Sequence, residues 1–444
     1  MSLRIKAPLL VASALVGTVG FASTAYADAF YLQAQSARGA GRAFSGEGAD
    51  TGPDSLWWNP AAIAGIRDGS ATLSATAILP KGDVVDTGTV IGRPTFSPTT
   101  GRPTGLNYTP VGGNGTSSDP INKGVVPSGA IAYPLTDRIA IGLAVTSPFS
   151  FTTNYEANSW ARYSADKTRL RTIDVQPSIG VVVTDWLRVG GALNVEYTDA
   201  ILNNALPNLS AALPDGHQEL KGDGWDFGWT AGVQLHNDFA TVGISYKSSI
   251  RHNLKGDLTV SGLVGPLASS NTTVSGAKAA FNTPGQVIVA GRFRGTDKLT
   301  LNAQVVAYNW SKFDTIDLGA PLNTAIPENY MDSWSLAGGF DYDVTPKLTV
   351  RAGVQRTKSP TQDGQRDARV PDADRWTYAA GGSYQLSPRI ALDAGAQYVD
   401  FANTTIDRNT AAYAGTAVQT NILTSGALRN ASAVVLSLGG RVSF

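Results

Sequence analysis

Apolar and polar residues alternate with period two along several stretches of the chain. From Leu299 to Tyr308 the odd positions Leu299, Leu301, Ala303, Val305 and Ala307 are apolar, and Thr300, Asn302 and Gln304 lie between them. From Leu348 to Gln355, Leu348, Val350, Ala352 and Val354 oppose Thr349, Arg351, Gly353 and Gln355. Leu187 to Thr198 sets Arg188, Asn194 and Glu196 against Leu187, Val189, Leu193 and Val195, and Ile390 to Tyr398 sets Asp393 and Gln397 on its polar side. Period two predicts strands, in a sandwich or a barrel. A charge in mid-strand, opposite an apolar face, suits a wet lumen with lipid outside.

The connections alternate too. Six short turns pair a small polar residue with Asp or Pro: Thr136-Asp137, Thr184-Asp185, Asn237-Asp238, Thr296-Asp297, Thr345-Pro346 and Ser387-Pro388. Asp and Asn cap turns through their side chains, and Pro presets φ. Between them lie seven long polar stretches, near 80–125, 152–169, 203–222, 263–283, 311–329, 358–373 and 403–431. Thirteen connections predict 14 strands, with 239–262 read as one long strand that Arg251-His252-Asn253 would break if anything does. An even strand number with strict long–short alternation fits an up-and-down transmembrane barrel. Trp186, Phe239, Tyr308 and Trp310 fall at strand ends, where an aromatic girdle sits, although each also fits a core.

Composition narrows the class. Of 444 residues only 16% are charged, Lys+Arg and Asp+Glu balance at 35 each, and 48 are Gly. The balance leaves no electrostatic footprint for nucleic acid. There is no Cys, and His217, His236 and His252 show no ligand spacing, so no metal site, cofactor or catalytic constellation is expected. At the N-terminus, Arg4 and Lys6, the apolar stretch Ala7 to Phe21, and Ala25-Tyr26-Ala27 read as a signal peptide cleaved after Ala27. A retained anchor is the alternative, although the apolar run is shorter than the ~20 residues that a spanning helix needs.

Residues 28–68 do not alternate. Gly39 to Gly48 is too rich in Gly for a stable helix or strand. Ser55-Leu56-Trp57-Trp58-Asn59-Pro60-Ala61 then carries two Trp that want burial. We read 28–68 as a plug inside a barrel formed by 69–444, the alternative being a periplasmic tail. In the strand Ile139 to Phe151, Pro148 removes a ladder hydrogen bond, so a kink or a strand end falls there. Ala140, Gly142 and Ala144 leave room for the plug. The last strand carries Val434, Leu436, Leu438, Val442 and the terminal Phe444 on one face, a pattern like the assembly signal of outer-membrane barrels.

Asp28-Ala29-Phe30, Gly41 to Gly48, Asn59-Pro60-Ala61, Thr146 to Phe149, Leu170 to Ser178, Tyr308 to Ser311 and Pro371 to Arg375 occur in the order found in the FadL/TodX (OmpP1) family, which the whole mature chain resembles. The resemblance implies an all-β, 14-stranded antiparallel barrel with an N-terminal hatch, passing long-chain fatty acids or other hydrophobic compounds. It implies that Phe30 lies in a ligand pocket, and that Asn59, Pro60 and Ala61 belong to the hatch near a kinked third strand at Pro148. Where it leads us to expect a basic residue for a ligand carboxylate, on the fifth strand, the chain has Thr198-Asp199-Ala200, which favours neutral cargo.

The expectation is therefore a passive uptake channel, not an enzyme, in the outer membrane of a Gram-negative cell. Its partners are hydrophobic small molecules, surrounding lipid and lipopolysaccharide, and the barrel-assembly machinery that reads Phe444; it acts as a monomer. The alternatives are a general diffusion porin and an adhesin or phage-receptor barrel, neither of which needs Trp57 and Trp58 in a plug.

Overall fold

The structure, a computed structural model, describes residues 29–320 and 322–444; the leader and Asp28 lie outside them. Fourteen antiparallel strands make the wall. They are β1 (Ser70–Asp86), β2 (Gly124–Pro134), β3 (Ile139–Thr146, resuming as Ser150–Asn154), β4 (Lys167–Thr184) and β5 (Leu187–Leu206). Next come β6 (Gly216–His236), β7 (Ala240–Lys247, resuming as Ile250–Ser261), β8 (Thr272–Thr283, resuming as Gly285–Arg294) and β9 (Leu299–Asn309). The last are β10 (Ser333–Thr345), β11 (Leu348–Thr357), β12 (Arg375–Ser387), β13 (Ile390–Phe401) and β14 (Gly426–Ser443). β14 pairs with β1 from Ser70↔Ser443 to Asp86↔Gly426, so the sheet closes and no edge remains. All six short turns fall where the alternation places them.

The alternation is realised as lipid outside and water or hatch inside. Leu193, Leu301, Val305, Leu392, Leu436 and Leu438 are exposed on the outer face. Asn194, Glu196, Gln304, Arg351, Asp393 and Gln397 are buried against the lumen contents. The terminal Phe444 donates its N–H to the Gly69 carbonyl (2.8 Å) and lays its ring where a Cβ on Gly69 would sit.

Three expectations need correction. The strands reach further outward than the polar stretches suggest: 80–86, 216–222 and 272–283 are strand. Above the bilayer both faces of a strand are wet, so the alternation that marks it fades. β7 breaks at Ser248-Ser249 and not at Arg251–Asn253; the Asp226 carboxylate accepts the Asn253 N–H at 2.8 Å and holds that stretch in the wall. Tyr308 and Trp310 belong to no girdle. They are 1% and 0% exposed and point into the barrel, whereas Trp186 and Phe239 are exposed at the turn rim.

Residues 29–68 fill the lumen as a hatch of short turns, including Ala37–Ala40, Glu47–Ala49, Pro53–Ser55 and Pro60–Ile63. Its two sides bind the wall differently. On one side it is held by charge. Arg42, fully buried, reaches Glu47, Asp50 (2.6 Å) and Asp341 on β10 (3.0 Å). Arg292 on β8 bridges Asp50 and Asp341, Arg351 on β11 joins Asp341, and Arg441 on β14 lies near Asp54 and Asp393. Burial alone raises the Asp50 carboxyl, but Arg292, Arg38 and Arg42 outweigh it and hold it well below the usual carboxylate range. On the other side the hatch packs by close approach. Leu56 and Ile63 rest on Ala130, Ala132, Ala140 and Ala144. A Cβ on Gly190 of β5 would meet the Pro60 carbonyl carbon at 2.3 Å, so only glycine admits the hatch there.

Candidate functional site

The N-terminal end of the hatch completes the broken third strand. β3 pairs with β2 only up to Gly129↔Val145, and with β4 up to Thr146↔Asp174, before it leaves the wall at 147–149. It rejoins β4 at Ser150↔Arg171 and meets the first loop at Ile121↔Thr153. Backbone groups freed from a ladder must find other partners. Here they find the hatch. Leu32 N–H donates to the Pro148 carbonyl (2.7 Å), and Ser150 N–H donates to the Phe30 carbonyl (2.9 Å). The Gln35 side chain donates to the Ser147 carbonyl (2.8 Å) and accepts the Ser147 N–H (3.2 Å), while the Thr172 hydroxyl accepts the Phe149 N–H (3.0 Å). Pro148 is thus one contributor to the break; the hatch hydrogen bonds hold it open.

The departure of β3 leaves a gap in the ladder with a recess beside it. It is lined by Val125, Val126 and Pro127 of β2 on one side, and by Ser147, Ser150, Arg171, Thr172 and Ile173 on the other.

Phe30, bonded through its backbone to Ser150 at this break, is 2% exposed and stands among four rings. Its centroid lies 4.9 Å from Trp310, 5.1 Å from Phe313, 5.8 Å from Phe151 and 6.0 Å from Phe149. The Phe151 pair is stacked and the other three are edge-to-face, and aromatic pairs of either kind add about 0.5–1.5 kcal/mol beyond burial. Phe30 forms one wall of a chamber with about 740 Å³ of free space, part of it continuous with solvent. Inward residues of β4 to β8 supply Leu170, Ala200, Leu202, Leu220, Leu254, Ala279 and Phe281. The long loops above add Phe313, Ile316, Glu328, Arg369 and Val370.

Thr198 and Ala200 face inward, as the fifth strand's register requires, and Asp199 faces out to an ion pair with Arg169 at 2.5 Å. The fifth strand therefore supplies no cation; of the three cationic residues that border the chamber, Arg169 is held by Asp199 and Lys221 is exposed, which leaves Arg369. Arg369, in the loop 358–374, donates to Thr168 Oγ1 (3.1 Å), the Asn203 carbonyl (3.4 Å) and Asn204 Oδ1 (3.2 Å), all neutral acceptors. Among the described residues its guanidinium makes no ion pair, while the Asp367 carboxylate accepts its backbone N–H at 2.9 Å. Sequence reasoning missed it because a loop arginine carries no periodic signal of where it folds back.

Asn59, Pro60 and Ala61 sit apart from the chamber. Asn59 caps the Pro60–Ile63 turn by accepting the Ala61 N–H (3.0 Å), and it donates to the Gly48 and Val233 carbonyls at 2.8 and 3.1 Å. These three residues lie against β5 and β6; the hatch residues next to the β3 break include Phe30, Tyr31, Leu32, Gln35 and Trp57.

Below the chamber the lumen is polar. The Lys247 ammonium lies 4.2 Å from the Trp57 ring centre, and Asn194 bridges Asp174 (2.6 Å) and Thr230 (2.7 Å).

A family model described as "Outer membrane protein transport protein (OMPP1/FadL/TodX)" matches residues 18–444. The chain is 28% identical over 393 residues to a 47 kDa outer membrane protein of Pasteurella multocida, covering 82% of this chain and 85% of the relative. It is 26% identical over 407 residues to a long-chain fatty acid transport protein of Escherichia coli O6:H1, covering 83% and 85%. Its fold is similar to that of a Pseudomonas aeruginosa FadL homologue, with a TM-score of 0.79 at 24% identity, covering 94% and 99% of the two chains.

Proposed function

Because the chain belongs to the OMPP1/FadL/TodX family of outer membrane transport proteins, we propose that it takes up hydrophobic molecules bearing one carboxylate, of the long-chain fatty-acid kind, across the outer membrane. The observation that carries this reading is Arg369, whose guanidinium borders a largely apolar chamber and donates only to neutral acceptors. A guanidinium that makes no direct ion pair can still take a carboxylate in two charge-assisted hydrogen bonds, and a carboxylate head with an apolar tail suits both it and the chamber. Neutral cargo, which the fifth strand alone favours, makes no use of that guanidinium. Transport runs down the gradient, each buried methylene contributing about 0.8 kcal/mol to capture.

Release follows from the shared hydrogen bonds at the β3 break. Cargo that displaces Phe30 frees the backbone of Pro148 and Ser150 together, so the hatch end and the gap in the ladder move as one element and the cargo leaves sideways. Asn59, Pro60 and Ala61 serve this gate as the anchor of the hatch on β5 and β6. Outer-leaflet lipid and lipopolysaccharide cover the outward face, the barrel-assembly machinery reads the strand ending in Phe444, and the chain acts as a monomer after a leader is removed at Ala27.

Two substitutions test the reading through fatty-acid and fatty-alcohol binding to the purified protein. Arg369→Met is expected to weaken the acid by ~1.5–3 kcal/mol, roughly 10- to 150-fold, and to leave the alcohol unchanged. Phe30→Ala is expected to weaken both by about tenfold or more, since it removes apolar contact common to the two. Equal affinity of the Arg369→Met protein for the acid would remove the carboxylate from the proposal.

A further inference from the structure

Glu328 lines the same chamber as Arg369, which is unusual for a site that receives an anion. It is 7% exposed and follows a short strand in the loop between β9 and β10. Arg408, from the loop between β13 and β14, donates to Glu328 at 3.3 Å and to Asp367 at 3.0 Å, and also bonds the Pro327 carbonyl. Asp367 accepts the Arg369 N–H as well, at 2.9 Å. Three loops thus meet in one cluster holding two cations, Arg369 and Arg408, and two carboxyls, Glu328 and Asp367. The other titratable groups near it are Tyr330, on the same loop as Glu328, and Asp372, which is paired with Arg375 at 3.4 Å; from the wall, Arg169, paired with Asp199, and the exposed Lys221 border the chamber.

With both carboxyls ionised the empty cluster is neutral. An arriving carboxylate leaves it with one surplus negative charge in a largely apolar pocket. Such a charge is expensive there and is relieved most cheaply by protonation.

We propose that binding of an anionic cargo in this chamber takes up one proton from solution, and that Glu328 receives it. The inference rests on the proposed carboxylate cargo. The balance is simple: the cargo enters as its anion, a proton from water or buffer forms an O–H bond on the Glu328 carboxylate, and no other bond changes. Glu328 is the acceptor because it borders the cargo and shares its one arginine with Asp367, whereas Asp367 accepts from both Arg408 and the Arg369 backbone. Burial, opposed by Arg408, already pushes the Glu328 carboxyl up to about 7 in the empty chamber. Bound cargo raises it further. Below neutral pH the proton is in place beforehand and affinity sits on its plateau. Above it, every carboxylate bound must bring a proton, and affinity falls by up to tenfold per pH unit. Glu328 thereby makes the chamber distinguish an acid from the matching alcohol by pH.

The experiment is titration calorimetry on the purified full chain in lipid nanodiscs, with decanoate and decanol as probes, in two buffers of different ionisation enthalpy. Above neutral pH decanoate is expected to bind with uptake of about one proton, read from the buffer-dependent heat, and its Kd is expected to rise on the order of tenfold per pH unit. Decanol should show neither effect, and Glu328→Gln should abolish both for decanoate. The wild-type buffer comparison stands on its own if that variant folds poorly. Decanoate binding without proton uptake in the wild-type protein overturns the inference and leaves the proposed cargo intact. Failure of decanoate to bind at any pH overturns both.

Discussion

Removal of residues 28–61 downstream of the leader is expected to raise single-channel conductance in planar bilayers at least roughly tenfold, because a 14-stranded barrel emptied of its hatch approaches porin width. The barrel itself should survive. Its wall closes through β1 and β14 without help from the hatch, and the partners left behind (Asp341, Arg292 and Arg351) would then face water that hydrates them. The apolar chamber would fare worse, since Phe30 and the bonds from Leu32 and Gln35 to the β3 break vanish together. A sharp rise in ion flow with loss of fatty-acid binding is the expected signature. A folded deletion protein that conducts no more than the intact chain would show that residues 29–61 do not block the pore.

Arg42→Met keeps the volume of the side chain and removes its charge. Glu47 then loses its partner inside the hatch, while Asp50 and Asp341 fall back on Arg292, Arg38 and Arg351. Breaking a buried ionic cluster from one side costs about 3–5 kcal/mol. The cost should appear as a lower temperature for converting the compact gel band to the unfolded one, and as intermittent ion leak through the otherwise intact protein. Unchanged melting and a silent bilayer would mean that the close packing against β2 to β6 holds the hatch by itself.

Much of this molecule can be read from its chain, for a physical reason. A lipid-facing strand must be apolar on every second residue, so Leu301, Val305, Leu392 and Leu438 leave an unmistakable mark. The turns are readable because Asp and Pro impose local geometry. Phe30 is singled out only by the resemblance of the N-terminal residues to the FadL/TodX family, since Tyr31, Phe44, Trp57 and Trp58 also precede the first strand. What escapes is whatever a loop decides. Arg369 and Glu328 converge from the loops 358–374 and 310–332, and no local pattern brings them together. The parity of β9 did carry a signal that strand-end reasoning overlooked: Tyr308 shares the even, lumen-facing positions with Asn302 and Gln304. The outward strand extensions hide for the opposite reason, as water on both faces erases the contrast.

The charged side of the hatch also fixes an order of events. Arg42 precedes Asp341 by 299 residues, and its neighbours in the network extend to Arg441 on the last strand. The segment that leaves the ribosome first therefore waits for the strands that leave it last, and its locking is the highest-separation step of folding, the kind whose loop-closure cost makes it slow. A barrel that has not closed has nowhere to seat its own N-terminus. The exposed, protease-sensitive state of residues 29–68 should thus be the final one to disappear during assembly, which pulse-labelled chains digested from the periplasmic side would reveal, and early protection of that segment would contradict it.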